Sequence, residues 1–298
     1  MIVRNFMLCL FTVICFTAGA QLQKNSSVIA DGAELLEISS QFSFTEGPAI
    51  DQEGNVYFTD QPNNKIWLYD NQGNLSLFMD NAGRANGMFF DAKGNLYACA
   101  DEKNELWIID SKTKVKTLVN AFENNPLNGP NDVWVSKSGF IYFTDPYYQR
   151  DYWTRTNPEI KHEGLYLLTK KGKLQLLDKE FKRPNGLVGT PDGKFLYVAD
   201  INDHKTYRYT ILADGTLSDK TLFVNQGSDG MTIDHQGNIY LTGNGVTVYN
   251  PKGEKIEHIE VPAKWTANVS FYGKDRDQLF ITASEKIFTL KMKVKDAR

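Results

Sequence analysis

One turn recurs six times along this chain, and its period limits the folds open to it. A glycine marks the turn at Gly54, Gly94, Gly139, Gly193 and Gly237, and Asp277 takes the sixth place. The intervals are 40, 45, 54, 44 and 40 residues. After the marker comes a short run in which aromatic and β-branched residues alternate with polar ones, such as NVYFTD, NLYACA, FIYFTD and NIYLT. Runs of this kind suit a pleated sheet, and no segment past residue 20 keeps a helical apolar period. A repeat near forty residues with several short strands per unit reads as a propeller blade rather than a helical solenoid.

In the first unit four strands can be read, at 47–50, 55–59, 65–69 and 75–79, each bounded by Gly, Asn or Asp. The sixth unit offers three, near 267–271, 278–282 and 286–292. Segment 33–39, AELLEIS, has no place in the first unit. We expect it to form the outer strand of the last blade, closing the ring and removing exposed sheet edges. The expected fold is an all-β, six-bladed β-propeller with four-stranded blades, one domain over residues 21–298. The longest interval holds an insertion, residues 145–164, DPYYQRDYWTRTNPEIKHEG, rich in Tyr, Trp and Arg. A loop of that length in a compact domain is often functional, though it can be mere packing.

Eight residues before each glycine marker stands an oxygen-bearing side chain: Glu46, Asn86, Asn131, Asn185 and Asp229. In the sixth unit Asn268 stands nine before Asp277. A lone pair such as Asn86-Gly87 or Asp229-Gly230 is ordinarily a turn. Six acidic or amide residues at one place in a repeat are a pattern, and in a closed ring equivalent places meet at the axis. Two carboxylates offset a divalent charge and the amides add neutral oxygens, which suits a hard cation such as calcium. Zinc would want His or Cys, and His162, His204, His235 and His258 show no ligand spacing. His162 and His204 lie between strands within reach of the mouth and are candidate substrate contacts, with Asn86, Asn131, Asn268 and Tyr147 of the insertion. The chain has no G-x-S-x-G elbow, P-loop or C-x-x-C motif.

With 33 Lys and Arg against 36 Asp and Glu and no basic run, nucleic acid is excluded as a main partner. The first twenty residues have one Arg, an apolar run from Phe6 to Phe16 and the close Ala18-Gly19-Ala20. They read as a secretory signal cut before Gln21, and the run is short of the roughly 20 apolar residues a membrane span needs. The expected location is secreted or periplasmic, with no transmembrane segment after cleavage. Cleavage removes Cys9 and Cys15, so Cys99 is left without a disulfide partner and is expected as a small buried hydrophobe.

The segments EGPAID, PNDVWVSKSGFIYFTDPYY, RPNGLVGTPDGKFLYVAD and SDGMTIDHQGNIYLT resemble the regucalcin and gluconolactonase family, over residues from about 40 to 290. That resemblance implies a six-bladed propeller with one divalent metal, usually calcium, at the channel mouth. It implies Glu46, Asn185 and Asp229 as metal ligands, and Asn131 as a contact to metal or substrate. It also implies Asp229 as the acid/base group and a small-molecule lactone as substrate. Regucalcin has a sugar-contacting Arg where this chain has Gly129, so the choice of lactone is left open. Two rival readings are a non-catalytic calcium-bound binding module and a phosphotriesterase-type hydrolase on the same site. N-terminal sequencing of the exported protein should begin at Gln21; an intact Met1 retained in the cytoplasm contradicts the export reading.

Overall fold

The structure is a computed structural model and describes residues 26–298; the signal segment expected at 1–20 lies outside the described residues. Among the described residues there is no helix. The strands form six blades of four, at residues 45–80, 85–119, 133–178, 184–224, 231–259 and 266–291, the last completed by the strand Leu36–Ser39. A single bridge between Gly243 and Thr266 joins the fifth and sixth blades into one sheet. Within a blade every pairing is antiparallel and, apart from the closing strand Leu36–Ser39, between neighbours in sequence, so short turns suffice.

The closing strand sits where the repeat leaves a gap. Leu36 pairs with Thr289 and Glu37 with Phe288, after which the register shifts and Ser39 meets Ile287. Lys286 reaches Glu37 at 2.8 Å, and an isolated bridge joins Ile29 to Met292. Segment 33–39 thus does the work expected of it, its ordered strand being the four residues from Leu36.

Apolar burial lies mostly between blades. Phe58 of the first blade meets Phe280 of the sixth at 5.3 Å between ring centroids. Tyr57 of the first meets Phe90 of the second at 5.0 Å, and Tyr240 of the fifth meets Phe271 of the sixth at 5.3 Å. The fully buried rings, Phe58, Phe280, Tyr240 and Phe271, each contribute about 1.5–3 kcal/mol through burial, so neighbouring blades hold one another up. Cys99 is fully buried with a free thiol, as expected.

The recurring turn is set by side chains as well as by glycine. Asp51, Asp91 and Asp234 each accept, at 2.8 Å, the amide N–H of the Asn four residues on. The marker glycines have φ between 70° and 90°, a left-handed conformation that costs a residue without Cβ nothing. In the sixth turn Arg276, with φ of 55°, holds that place, not Asp277. Its guanidinium is engaged by the Asp51 carbonyl and faces Asp296 at 3.7 Å, contacts that offset the local strain. Counted from Arg276, Asn268 stands eight residues back like its five counterparts.

Deleting residues 21–40 should unfold the protein or lower its melting temperature by at least about 10 °C, read by thermal denaturation. A melting curve matching the full chain would show that ring closure does not depend on this strand.

Candidate active site

The first strand of every blade lies at the axis, and these strands touch one another in order around the ring. The marked residues sit at the same end of them. Glu46, Asn86, Asn185 and Asn268 are in the opening residues of their strands, while Asn131 and Asp229 lie two residues ahead of theirs. All are buried except Asp229, which is half-buried at the mouth.

The glycine after a ring residue has a different task from the turn that an Asn-Gly pair suggests. At Gly47 a Cβ would stand 2.1 Å from the Asn86 carbonyl oxygen. At Gly186 it would meet the Asp229 carbonyl at 2.5 Å, and at Gly230 the Asn268 side chain at 1.9 Å. Gly87 donates its N–H to the Asn131 carbonyl at 2.7 Å. Only a residue without a side chain lets adjacent blades come this close, and that approach brings the ring side chains together. The ring closes where Asn268 Nδ2 donates to Glu46 Oε2 at 3.2 Å.

Three carboxylates share this end of the channel. The Gly47 N–H donates to Glu46 Oε2 at 2.7 Å, yet burial first, and then the charge of Asp229, push the Glu46 carboxyl well above its usual range. Asp229 is raised to about 6 by burial, held from going higher by the Trp265 indole and the Asn185 amide. Trp265 Nε1 donates to Asp229 Oδ2 at 2.6 Å. Asp132, next to Asn131, is raised to about 7, again by burial first, although Val133 and Leu187 donate backbone N–H groups to it.

Asn185 Oδ1 is buried with no hydrogen-bond partner, while its Nδ2 donates to the Tyr148 hydroxyl at 3.0 Å. An orphaned amide oxygen beside carboxylates short of positive charge fits a hard divalent cation. Among the described residues no three His, Cys, Asp or Glu side chains are placed to hold a metal ion by themselves, so amide oxygens have to complete any donor set here.

The insertion reaches over this mouth. From the end of the third blade's second strand it carries Tyr148 to Asn185 of the fourth blade and Arg150 to Asp101 of the second. Arg150 Nε donates to Asp101 Oδ2 at 2.6 Å, the Tyr152 hydroxyl donates to the same oxygen at 2.6 Å, and Trp153 Nε1 donates to the Asp101 carbonyl at 3.0 Å. Gly129 lies beneath: a Cβ there would meet Asp101 Oδ1 at 2.7 Å and Trp153 at 3.1 Å, so the position has no room for an Arg.

The other candidates take different positions. His162 stacks on Tyr166, with Nε2 3.1 Å from its hydroxyl, and His204 is exposed in the turn after Asp200 with φ of 53°. Tyr147 donates its hydroxyl to Gln149 at 2.5 Å and packs on Trp153. None of the three makes a hydrogen bond to a ring residue. Sequence reasoning missed Asp101, Asp132, Tyr148, Arg150 and Trp265. One signal was present: second strands close on Asp in VYFTD, IYFTD and FLYVAD, and ACA is followed directly by Asp101.

The fold and site define a six-bladed propeller with carboxylate and amide oxygens gathered at one end of its axis. A family model, "SMP-30/Gluconolactonase/LRE-like region", matches residues 44–285, and the chain belongs to that family. It is 29% identical to a gluconolactonase of Zymomonas mobilis, the match covering 86% of this chain and 80% of that one. A solved gluconolactonase of Xanthomonas campestris is 27% identical with a TM-score of 0.82, over 89% of this chain and 91% of that one. The fold is shared also by a calcium-binding regucalcin of Agrobacterium tumefaciens, at 20% identity and a TM-score of 0.74, over 87% of this chain and 94% of that one.

Protons and cations should compete for this site. The folded-state pKa values of Glu46, Asp229 and Asp132 lie above their unfolded values, so their contribution to stability is greatest in acid and is lost as pH rises through about 6 to 7. Chelated protein should therefore melt higher at about pH 5.5 than at about pH 7.5, and calcium affinity should weaken over the same descent. Calorimetry at the two pH values reads both. A calcium affinity independent of pH would separate these carboxylates from cation binding.

Proposed function

We propose that the protein is a calcium-dependent hydrolase of lactones, gluconolactonase-like and exported from the cytoplasm. The observation that carries this reading is the axial cluster itself: mutually repelling carboxylates with an unpartnered Asn185 oxygen among them. Membership of a lactonase family and the likeness to two gluconolactonases support the substrate class.

Glu46, Asn185 and Asp229 hold the cation, with Asn131 as a fourth ligand or as a contact to substrate. Calcium bound there supplies Lewis-acid polarisation of the lactone carbonyl and charge to offset the oxyanion. Trp265 on Oδ2 fixes the orientation of Asp229, the acid/base group; a bound cation would lower the Asp229 pKa but would also make the water it deprotonates more acidic. Asp229 accepts a proton from water as the water oxygen bonds to the carbonyl carbon. The ring C–O bond then breaks, and the proton passes to the departing alkoxide to give a hydroxy acid. Burial of the cluster excludes bulk water and strengthens each of these interactions. Asn86 and Asn268 are the axial candidates for substrate contact, and Tyr147, His162 and His204 the candidates on surrounding loops.

A panel of aldonolactones, aromatic lactones and organophosphates assayed with and without chelator tests the reading. Lactone turnover that chelator abolishes and calcium restores is expected. Turnover of none favours a binding module, and turnover of organophosphates alone the phosphotriesterase reading. Asp229→Asn keeps a ligand oxygen but loses basicity, so turnover should fall about 10²–10⁴-fold with calcium still bound. A near-native rate in that variant would leave Asp229 a ligand only.

A further inference from the structure

Asp101 departs from the role its counterparts play. Asp60 accepts the backbone N–H groups of Ser43 and Phe44, Asp145 those of Asn128 and Gly129, and Asp200 those of Lys182 and Arg183. Each pins the loop leading into its own blade. Asp101 instead receives side chains: Arg150 and Tyr152 from the insertion and Gln61 Nε2 at 3.3 Å. A scaffold carboxylate has become the socket for one guanidinium.

Only one edge of that guanidinium is used. Arg150 Nε is bound to Asp101, and among the described residues its two Nη nitrogens have no hydrogen-bond partner. The side chain is 22% exposed and neither Nη is among the fully buried unpartnered atoms, so these donors are open to solvent. The group lies over the Tyr148 ring at 5.4 Å, and Tyr148 in turn holds Asn185. Arg150 is near enough to Asp229 for its charge to be felt there. Donors fixed on one edge, open on the other and set beside the reactive centre are built to meet acceptors on a bound molecule.

The charge balance says what kind of molecule. Arg150 is matched by Asp101, Arg155 by Glu159 at 3.0 Å and Arg183 by Glu163 at 3.4 Å. Arg84 is spent on the Tyr152 ring, 4.3 Å away, and the Pro62 carbonyl. With its arginines so engaged, the mouth offers hydrogen-bond donors rather than a surplus of positive charge, which suits a neutral, oxygen-rich substrate over an anion.

We propose that Arg150 is a specificity-determining residue whose free Nη donors grip hydroxyl oxygens of a neutral polyhydroxylated lactone, with Asp101 positioning it. This rests on the lactonase reading above. The role is substrate selection, distinct from hydrolysis of the ester itself. A lactone without hydroxyls would miss this grip and react through the axial groups alone.

Glucono-δ-lactone and unsubstituted δ-valerolactone, assayed with Arg150→Met and Tyr152→Phe, test the proposal. Arg150→Met should raise KM and lower kcat/KM on the hydroxylated lactone by about 10–100-fold, while the bare lactone changes less than about threefold. Calcium should still bind, no more weakly than in the parent protein, because the change removes a positive charge near Asp229. Tyr152→Phe removes one tie of the loop but keeps Arg150, so the preference between the two lactones should persist. Should Arg150→Met fail to fold, Arg150→Lys carries the test, with a loss of about tenfold confined to glucono-δ-lactone because the ammonium lacks the planar fork. Equal losses on both lactones, or a Tyr152→Phe that copies Arg150→Met, make Arg150 a loop anchor and overturn the proposal. A greater loss on a phosphorylated lactone than on glucono-δ-lactone overturns the neutral-substrate assignment. A parent protein that turns over neither lactone sinks the lactonase reading and this proposal together. A parent active on both, with Arg150→Met unchanged, sinks the Arg150 role alone.

Discussion

Adjacent blades meet backbone against backbone at the axis, and the site depends on that contact. The Gly47, Gly186 and Gly230 positions have no space for even a methyl group, because the next blade's carbonyl or side chain already stands where it would go. Six inner strands drawn that close leave the residues in front of the glycines within reach of one another, as Asn268 and Glu46 show. The aromatic layers farther out hold the blades upright, but they do not set the spacing at the centre. In the third and sixth blades the place after the ring residue is filled by Asp132 and Val269, so the ring is not uniform.

That closeness has an electrostatic consequence. Burial raises the pKa of each of these carboxylates, and the charge of Asp229 raises Glu46 and Asp132 further. Such a cluster destabilises the fold at neutral pH unless a cation neutralises it. Destabilised sites of this kind are common where a protein acts on a ligand, since a group already satisfied by its neighbours has little left for a substrate. Asn185 illustrates the arrangement: its nitrogen is committed to Tyr148 and its oxygen is left open.

The insertion is tied down at several points, which makes it part of the site wall. Asp101, Trp153 and Arg155 join it to the second blade and to the segment before the third, where Arg155 bonds the Leu127 and Asn128 carbonyls. The absence of a side chain at Gly129 and the presence of Trp153 above it are one feature seen from two sides. A long loop that replaces a side chain in this way changes what the mouth presents without disturbing the axial groups.

Much of the architecture was legible in the chain, because a repeat is a one-dimensional record of a ring. The interval near forty residues carried the blade, the missing fourth strand of the last unit pointed to segment 33–39, within which the strand is Leu36–Ser39, and the constant offset singled out Glu46, Asn86, Asn131, Asn185, Asp229 and Asn268. Even the irregular sixth copy obeys the rule once Arg276 is seen to hold the left-handed turn, which tertiary contacts to Asp51 and Asp296 permit and local propensity does not advertise. What lies off the repeat needed the folded molecule. Asp101 and Arg150 are far apart in sequence, Trp265 meets Asp229 across a blade boundary, and His162 turns toward Tyr166. Periodicity encodes positions that are equivalent by symmetry. Partners from loops and neighbouring blades have no such equivalence, so only the packing of the closed ring decides which of them meet.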